Sequence, residues 1–183
     1  MTAERIILDN KQIDIVINRL CQEILENHRD FKRSILVGIQ PRGTLFCNRI
    51  LNRLSVILKS NNLRSAALDI SFFRDDFRRR NELIQPQTTD MPSIEGKNVI
   101  LVDDVLYTGR SVRAAIDALM NFGRPKNVEY LCLIDRRFSR ELPIQADYIG
   151  KSIDSIDSEK VIVSWKEKDS SDSVIMINPE KNE

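Results

Sequence analysis

The stretch "VILVDDVLYTGRS", from Val99 to Ser111, decides the fold. Its first four residues are aliphatic, and a short aliphatic run is typical of a buried strand. Thr-Gly-Arg-Ser then comes directly before residues with helical spacing, which is where a tight turn opens a helix. We therefore predict a strand, a turn and a helix in close succession. Two carboxylates, Asp103 and Asp104, directly follow the predicted strand, which ends at Val102.

The rest of the chain repeats this alternation of strands and helices. Apolar residues have helical spacing at 11–27, 45–58 and 111–122, and the strand-like apolar runs are "SILVGI", "AALDISFF", "NVILV", "VEYLCLI", "VIVSW" and "SVIMI". Continuous apolar strands that alternate with helices predict a mostly parallel central sheet flanked by helices on both faces. The last two runs predict a small, antiparallel C-terminal strand extension. We expect one α/β domain over residues 1–183.

One segment interrupts the alternation. Residues 74–95 contain few apolar side chains and two prolines. A loop of this length in a compact domain is typical of a functional lid or of a disordered segment, so we predict a flexible lid. Its four arginines, which stand beside Asp75 and Asp76, indicate a solvated loop more than a binding site for RNA.

Composition excludes several classes of protein. The 183 residues include 28 basic and 27 acidic side chains, so the overall charge gives no argument for nucleic acid or for a membrane surface. Cys21, Cys47 and Cys132 are widely spaced among apolar residues and form no CxxC pair, which predicts reduced core thiols. The first residues are charged, and no apolar segment has the length of a membrane span. We predict a cytoplasmic protein.

The turn after the first strand has the chemistry of an anion site. In a parallel α/β sheet, ligands bind outside the carboxyl ends of the strands, where "QPRG", "DDVLYTGRS" and "DRRFSREL" should all lie. Free N–H groups at the start of a helix favour a phosphate, and Gly109 permits a close approach of the backbone. Two carboxylates would repel that phosphate if they touched it, but they suit hydroxyl groups and Mg²⁺ beside it. A ribose 5-phosphate combines these features.

Other interpretations of the same residues stay open at this point. Acids at the end of a strand, followed by Thr-Gly, are also the ordinary residues of a turn and a helix N-cap, and on the acid pair alone the two interpretations are equally good. The Walker pattern GxxxxGK[ST] and the dinucleotide pattern GxGxxG do not occur in the chain. A receiver domain also clusters acids, but it does so after an early strand and without this turn.

Several segments together carry a resemblance to a known family. "ILDN", "ILVGIQPRG", "DISFFRDD", "VILVDDVLYTGRSVRAAIDAL", "GRP" and "RELPIQADYIGKSI", followed by "SEKV", resemble in that order the PyrR family of pyrimidine operon regulators and uracil phosphoribosyltransferases. The resemblance covers most of the chain. It implies a type I phosphoribosyltransferase fold and an enzyme that forms UMP and diphosphate from uracil and 5-phosphoribosyl 1-diphosphate (PRPP). It also implies Mg²⁺ as cofactor, a homo-oligomer, and the leader RNA of pyrimidine genes as a partner.

The resemblance also implies roles for individual residues. Asp103 and Asp104 would hold the ribose hydroxyls and the metal, and Arg42 with the backbone at Gly43 would bind the diphosphate. The residues implied for the 5-phosphate are Thr108, Gly109, Arg110 and Ser111, with Arg74 assisting as the lid closes. The residues implied for the walls of the uracil pocket are Asp135, Arg136, Ile149 and Ile153. The residues that would act directly in catalysis are Asp103, Asp104 and Arg42.

The chain departs from the family pattern mainly at positions implied to face RNA. Gln145 stands where an arginine commonly precedes "ADYIG", and "NRLCQE", residues 18–23, replaces "TRIAHE". "DRRFSRELP" is one residue longer than the usual "DRGHRELP" and lacks its histidine. A uracil phosphoribosyltransferase and a UMP-responsive RNA-binding attenuator therefore both remain open, as does a purine phosphoribosyltransferase. His28, the one histidine, is expected at a helix end or on the surface.

Overall fold

The computed structural model describes residues 3–75 and 91–178 of the chain. Most of the predicted lid, residues 76–90, lies outside the described residues. The described part contains eight strands and three α-helices, with short 3₁₀ turns at Ser71–Phe73 and Met120–Phe122. In chain order the elements are β1 Ala3–Leu8, α1 Asn10–His28, β2 Ser34–Ile39, α2 Arg42–Leu58, β3 Ser65–Leu68, β4 Asn98–Leu106, α3 Arg110–Leu119, β5 Asn127–Arg137, β6 Tyr148–Asp154, β7 Lys160–Ser164 and β8 Ser173–Asn178.

The central sheet has five strands in the order β3-β2-β4-β5-β6, and each neighbouring pair is parallel. β4 is the middle strand, and all six residues of β2 are buried. One hydrophobic core joins the sheet to α1 and α2, and a second core joins its other face to α3. The predicted parallel sheet with helices on both faces is confirmed.

Two strand boundaries differ from the predicted ones. β4 does not end at Val102 but runs to Leu106, because β5 continues beside it and pairs Leu106 with Asp135. The two acids therefore lie within the strand instead of after it. The run "AALDISFF" forms a strand only as far as Leu68, after which the Asp69 carboxylate accepts a hydrogen bond from the Ser71 N–H at 2.8 Å and turns the chain into a 3₁₀ turn.

The first helix begins and ends as its residues dictate. Asp9 is the N-cap, and it exchanges hydrogen bonds with Gln12 in a capping box. The last residue of α1, His28, is at a helix end as expected, but it is buried and not on the surface. Its two ring nitrogens lie 2.8 Å from the Ser34 hydroxyl and 2.8 Å from the Glu129 carboxylate, at the amino ends of β2 and β5.

The small sheet contains one more strand than predicted. β7 and β8 pair antiparallel, as expected for the C-terminal extension, and β1 from the other end of the chain adds to β8. Neither β1 nor β6 has a clear strand pattern, because β1 carries Glu4 and Arg5 in its first half and β6 has Gly150-Lys151-Ser152 at its centre. Both are edge strands, where polar residues are tolerated because only one side is paired.

Two further expectations concern the core and membranes. Cys21, Cys47 and Cys132 are buried and form no disulfide, as predicted. Within residues 3–75 and 91–178, no helix combines the length and the apolar character that a membrane-spanning segment requires.

A charged clamp holds the small sheet against α2. Trp165 at the end of β7 is fully buried, stacks on Phe46 with ring centroids 5.7 Å apart, and lies under the Arg49 guanidinium at 4.6 Å. Arg49 donates to the Asp172 carboxylate at 2.6 and 2.9 Å and to Glu167 at 2.7 and 3.0 Å. Burial acts to raise the pKa of Asp172, but the hydrogen bonds from Arg49 and from the backbone outweigh it and hold that pKa below its usual value.

We expect Asp172→Asn to lower the free energy of unfolding by about 2 kcal/mol, because the Arg49 cation loses its nearly buried partner. Urea unfolding at neutral pH measures the change. The matched control is Asp154→Asn, which removes the carboxylate of an ion pair with Arg137 whose side chains are 60% and 52% exposed. That loss should stay below about 1 kcal/mol. Equal losses in the two variants would contradict the clamp.

Candidate active site

The carboxyl edge of the central sheet holds a cavity of about 580 Å³. It opens between the end of β4 and the start of α3, and the chain just before the undescribed segment closes one side. Six of the residues predicted for the phosphoribosyl ligand line this cavity, and they are Arg74, Asp103, Thr108, Gly109, Arg110 and Ser111. The parallel strands thus bring side chains that suit one phosphorylated ligand to the same edge of the sheet, although Arg74 is distant in sequence from the other five.

The start of α3 is built to receive an anion. Gly109 is the N-cap and has φ +90°, a left-handed conformation that glycine adopts without strain. A Cβ on Gly109 would also lie 3.3 Å from two atoms of Ile144. Gly109 has no side chain to cap the helix, and the Arg110 N–H donates a long hydrogen bond of 3.4 Å to the Thr108 hydroxyl. The next N–H groups of the first turn are left for an anion. The Thr108 carbonyl accepts from the N–H groups of Glu141 and Leu142 at 3.1 and 3.2 Å, which fixes the turn.

The acid pair occupies successive positions of β4, and the two carboxylates lie close enough to interact with one another. Asp103 lines the cavity, whereas Asp104 does not. The Asp104 N–H donates to Asp103 Oδ1 at 2.9 Å. Burial raises the pKa of Asp103, and repulsion from Asp104 raises it further; burial also raises the pKa of Asp104, although the Arg42 charge acts in the other direction. A cation or hydroxyl donors at this pair would relieve that penalty.

The loop before α2 lies directly against the acid pair. A Cβ on Gly43 would stand 2.5 Å from the Val102 carbonyl oxygen and 3.1 Å from Asp103 Oδ1, so only glycine fits there. Arg42 is the first residue of α2 and does not line the cavity. Its guanidinium donates to the Val163 carbonyl and lies 3.5 Å from the Asp169 carboxylate, on the side of the small sheet.

Arg110, at the mouth of the cavity, is already paired. Its guanidinium contacts Glu141 at 2.5 Å and Asp75 at 2.8 Å, and Arg113 from the next turn of α3 contacts the same Asp75 at 2.5 Å. Each of these side chains is between 42% and 51% exposed, and exposed pairs contribute less than about 1 kcal/mol each. A phosphate group can therefore replace the carboxylates at small cost.

None of the four residues predicted for the nucleobase pocket lines this cavity. Asp135 and Arg136, at the end of β5, are nearly buried. The Arg136 guanidinium lies 4.0 Å over the Tyr107 ring and donates to the Ser155 hydroxyl at 2.8 Å. Ile149 and Ile153 both belong to β6, but Ile149 packs on the α3 side of the sheet, and Ile153 is part of the core under α1 and α2.

Arg140 is a site residue that sequence reasoning missed. It pairs with the Asp135 carboxylate and donates to the backbone carbonyls of Tyr107, Arg136 and Ile144. One side chain thereby fastens the loop after β5 to the loop after β4. No sequence pattern separates Arg140 from Arg136 and Arg137 in the run "DRRFSRE", because its partners are defined only when the two loops meet.

A second, more open cavity of about 400 Å³ lies on the other side of Arg136. Phe138 and Ile156 face it together with Ser155, which accepts the Arg136 hydrogen bond. Phe138 has φ +70° and is 83% exposed. This is where the loop "DRRFSRELP" exceeds the family pattern by one residue. Arg136 lines neither cavity, but it contacts Tyr107 in the wall of the first and Ser155 in the wall of the second.

The acid pair is the place where a metal would fit. Among the described residues, no group of three or more His, Cys, Asp or Glu side chains is close enough to hold a metal ion by itself. Mg²⁺ commonly binds through one or two carboxylates and completes its shell with water and substrate phosphates. Two carboxylates that carry a burial penalty suit a metal that arrives with a phosphorylated ligand.

The fold and this site are those of a phosphoribosyltransferase. The family described as "Phosphoribosyl transferase domain" matches residues 5–169. The chain is 43% identical over 177 residues to the Bifunctional protein PyrR of Streptococcus equi subsp. zooepidemicus, covering 96% of this chain and 98% of that protein. It is 42% identical over 173 residues to the Bifunctional protein PyrR of Halalkalibacterium halodurans, covering 93% and 95%. The chain belongs to the PyrR family of phosphoribosyltransferases, as its motifs predicted.

Solved structures agree on the fold. A hypoxanthine phosphoribosyltransferase from Staphylococcus aureus superposes with a TM-score of 0.71 at 20% identity, covering 96% of this chain and 93% of that one. The hypoxanthine phosphoribosyltransferase of Trypanosoma cruzi gives a TM-score of 0.74 at 18% identity, covering 98% and 93%. At such low identity the likeness concerns the fold, and the base that those enzymes use carries no weight for this chain.

Proposed function

We propose that this chain transfers the 5-phosphoribosyl group of PRPP to uracil and releases UMP and diphosphate. The observation that carries the proposal is the 580 Å³ cavity, which joins the Asp103 carboxylate to the uncapped start of α3. Anion donors and hydroxyl acceptors so arranged match a ribose 5-phosphate. Membership of the PyrR family supports the choice of reaction, and the free, buried cysteines fit a reducing compartment such as the cytoplasm.

The 5-phosphate binds at the turn 108–111. Its oxygens accept hydrogen bonds from the first N–H groups of α3 and from the hydroxyls of Thr108 and Ser111. The Arg110 guanidinium exchanges Asp75 and Glu141 for the phosphate. Because the turn is held by backbone hydrogen bonds from the loop after β5, these donors are in place before the ligand arrives.

The ribose and the diphosphate lie on the side of the acid pair. Asp103 and Asp104 accept hydrogen bonds from the ribose hydroxyls. Gly43 leaves room for the diphosphate to pass close to the backbone, and Arg42 releases Val163 and Asp169 to pair with the phosphate oxygens. Mg²⁺, bound by the acid pair together with the diphosphate, would neutralise charge on the leaving group.

The chemical step needs no nucleophilic side chain. A ring nitrogen of uracil forms the new bond to the anomeric carbon and loses its proton, which the departing diphosphate can accept. The bond from the anomeric carbon to the diphosphate oxygen breaks, and the transition state has oxocarbenium character. Arg42 stabilises the negative charge that develops on diphosphate, and the carboxylates stabilise the positive charge on the ribose. His28, bonded to Ser34 and Glu129 at the amino ends of the strands, takes no part.

Asp135, Arg136, Ile149 and Ile153 are the residues proposed for the uracil pocket. Arg136 contacts Tyr107, which lines the first cavity, and Ser155, which lines the second. We expect the planar uracil ring to bind among these four residues while Arg136 keeps its contacts with Tyr107 and Ser155. A purine is the competing substrate, and the longer loop at Phe138 is the feature that would change the size of the base pocket.

We propose a second activity because the relatives are named bifunctional. A UMP-responsive RNA-binding attenuator needs exposed basic side chains to bind the RNA phosphates. Gln22, on α1, and Gln145, in the loop before β6, are exposed and uncharged. Arg19 donates to the carbonyls of Ile149 and Gly150, and Lys151 donates to the Ile7 carbonyl, so neither cation is free to replace a lost arginine. We therefore propose a better enzyme than RNA regulator.

The base preference is tested by product formation from PRPP, Mg²⁺ and a panel of uracil, cytosine, hypoxanthine, guanine and adenine. We expect uracil to be used with a kcat/KM at least about 100-fold above that of any purine, since a pocket built to hydrogen-bond one base rejects others strongly. A purine that reacts as fast as uracil would overturn the base assignment and leave the PRPP site untouched.

The acid pair is tested by PRPP affinity. Replacing both Asp103 and Asp104 by Asn preserves shape but removes the charges that hold hydroxyls and metal. Calorimetry with Mg²⁺ should show PRPP affinity falling by well over tenfold, or more than about 1.4 kcal/mol. Asp117→Asn, an exposed change on the far turns of α3, is the matched control and should leave the affinity as it is. An unchanged PRPP affinity in the double variant would contradict the assignment of the acid pair to the PRPP site.

The regulatory activity is tested by titrating the protein, with UMP present at near-physiological salt, with the leader transcript of its own pyrimidine genes. Affinity within about tenfold of that for an unrelated RNA of equal length is expected, because a lost arginine removes a phosphate contact. Changing Gln145 to Arg should then raise the salt slope by about one unit. Binding of the leader that is orders of magnitude tighter than that of the control RNA would show the expectation wrong.

A further inference from the structure

A buried tyrosine next to the acid pair has a hydroxyl group that the free protein does not use. Tyr130, on β5, is 3% exposed and belongs to the hydrophobic core on the α3 side of the sheet. Its hydroxyl is shielded from solvent and has no hydrogen-bond partner among the described residues. A hydroxyl left unpaired in the interior destabilises a protein, and such groups are rare. A phenylalanine would fill the same space without that penalty.

The backbone of β5 fixes the position of the Tyr130 ring. The Tyr130 N–H donates to the Asp147 carboxylate at 2.8 Å, and its carbonyl accepts from the Asp147 N–H at 2.8 Å. The register of the sheet pairs Tyr130 with Leu101 on β4, and it pairs Cys132 with Asp103 two residues further toward the carboxyl edge. The tyrosine therefore lies on the strand beside the acid pair, directly before the level of Asp103.

The charges around Tyr130 identify the acceptor for its hydroxyl. Burial raises the pKa of Tyr130 and the charge of Asp103 raises it further, so the phenol remains a hydrogen-bond donor at neutral pH. Asp103 acts on Tyr130 more strongly than Asp104 does. Asp135, farther along β5, is already paired with Arg140. Asp103 is thus the carboxylate best placed to accept, and it is also the acid that lines the cavity.

We propose that Tyr130 is a positioning residue for Asp103 in the ligand-bound state. When a ribose enters the cavity, the Asp103 carboxylate turns and accepts a hydrogen bond from the Tyr130 hydroxyl, which fixes its orientation toward the ribose hydroxyls. One Asp103 oxygen already accepts from the Asp104 N–H at 2.9 Å, and the other is left for Tyr130 and a ribose hydroxyl. This role rests on the proposed function, since it requires Asp103 to hold the ribose.

Loss of the hydroxyl should have opposite effects on the free protein and on its complex. In the free protein, Tyr130→Phe removes an unpaired polar atom from the core, so the unfolding midpoint should not be lowered. In the complex, the same change removes a hydrogen bond to a charged group, so ligand affinity should fall about tenfold. A tyrosine that only fills the core would not weaken the binding of a ligand.

Calorimetry of the full chain with two nucleotides tests the role of Tyr130. The probes are UMP and 2′,3′-dideoxyuridine 5′-monophosphate, which lacks both ribose hydroxyls. Tyr130→Phe should weaken UMP binding about tenfold and leave the affinity for the dideoxy nucleotide within about twofold of that of the unchanged protein. PRPP with Mg²⁺ should follow UMP. A general disturbance of the site would weaken the binding of both nucleotides equally.

Tyr148→Phe is the matched control. Tyr148 is also 3% exposed, but its hydroxyl donates to the Glu129 carboxylate at 2.7 Å, at the amino ends of the strands. Removing that hydroxyl breaks an existing hydrogen bond far from the cavity. The Tyr148→Phe variant should therefore have a lower unfolding midpoint and unchanged affinities for both nucleotides.

The outcomes separate this role from the proposed function. An unchanged UMP affinity in Tyr130→Phe, or an equal weakening of both nucleotides, would overturn the role of Tyr130 and leave the PRPP site in place. An unfolding midpoint lowered as much as that of Tyr148→Phe would also overturn it, because the hydroxyl would then be bonded in the free protein. If the unchanged protein bound neither UMP nor PRPP, the proposed function itself would be wrong.

Discussion

The site depends on the way β4 is held in the middle of the parallel sheet. Its pairing with β5 continues to Leu106, four residues beyond the end of the aliphatic run, and this extension carries Asp103 and Asp104 to the carboxyl edge as part of a strand. A strand fixes the direction of its side chains much more firmly than a loop does. Asp103 therefore lines the cavity with Asp104 beside it, and Gly43 packs against the strand with no space for a Cβ.

Arginines around the cavity are paired before any ligand is bound. Arg110 contacts Asp75 and Glu141, Arg42 contacts the small sheet, and Arg140 is saturated by Asp135 and backbone carbonyls. These ion pairs differ in exposure, and therefore in the free energy needed to replace the protein partner of each arginine by a ligand. Arg110 can leave its exposed partners cheaply, whereas Arg140 would abandon a nearly buried carboxylate and several carbonyls. Arg110 is therefore suited to binding a ligand, and Arg140 is suited to supporting the loops that form the binding site.

The small sheet is joined to the rest of the protein through its inner face. Its inner face closes the core over Trp165, and the Arg49 clamp ties it to α2, the helix that begins at Arg42. Its outer face faces away from that core. A shift of the small sheet relative to α2 would change the position of Arg42, because the Arg42 guanidinium donates a hydrogen bond to the Val163 carbonyl on β7.

The sequence by itself determined the strand, turn and helix at 99–122, the capped first helix, the order of the parallel sheet's main elements and the family. Each of these depends on residues close together in the chain, through periodicity, capping and the conformation of Gly109. Only the tertiary structure decided which arginines are paired, which of the two acids faces the cavity, and that β1 completes the small sheet. Arg42 and Val163 are 121 residues apart, and β1 pairs with the last strand, so no local pattern contains these contacts. They are set by the packing of elements, which local propensity does not encode.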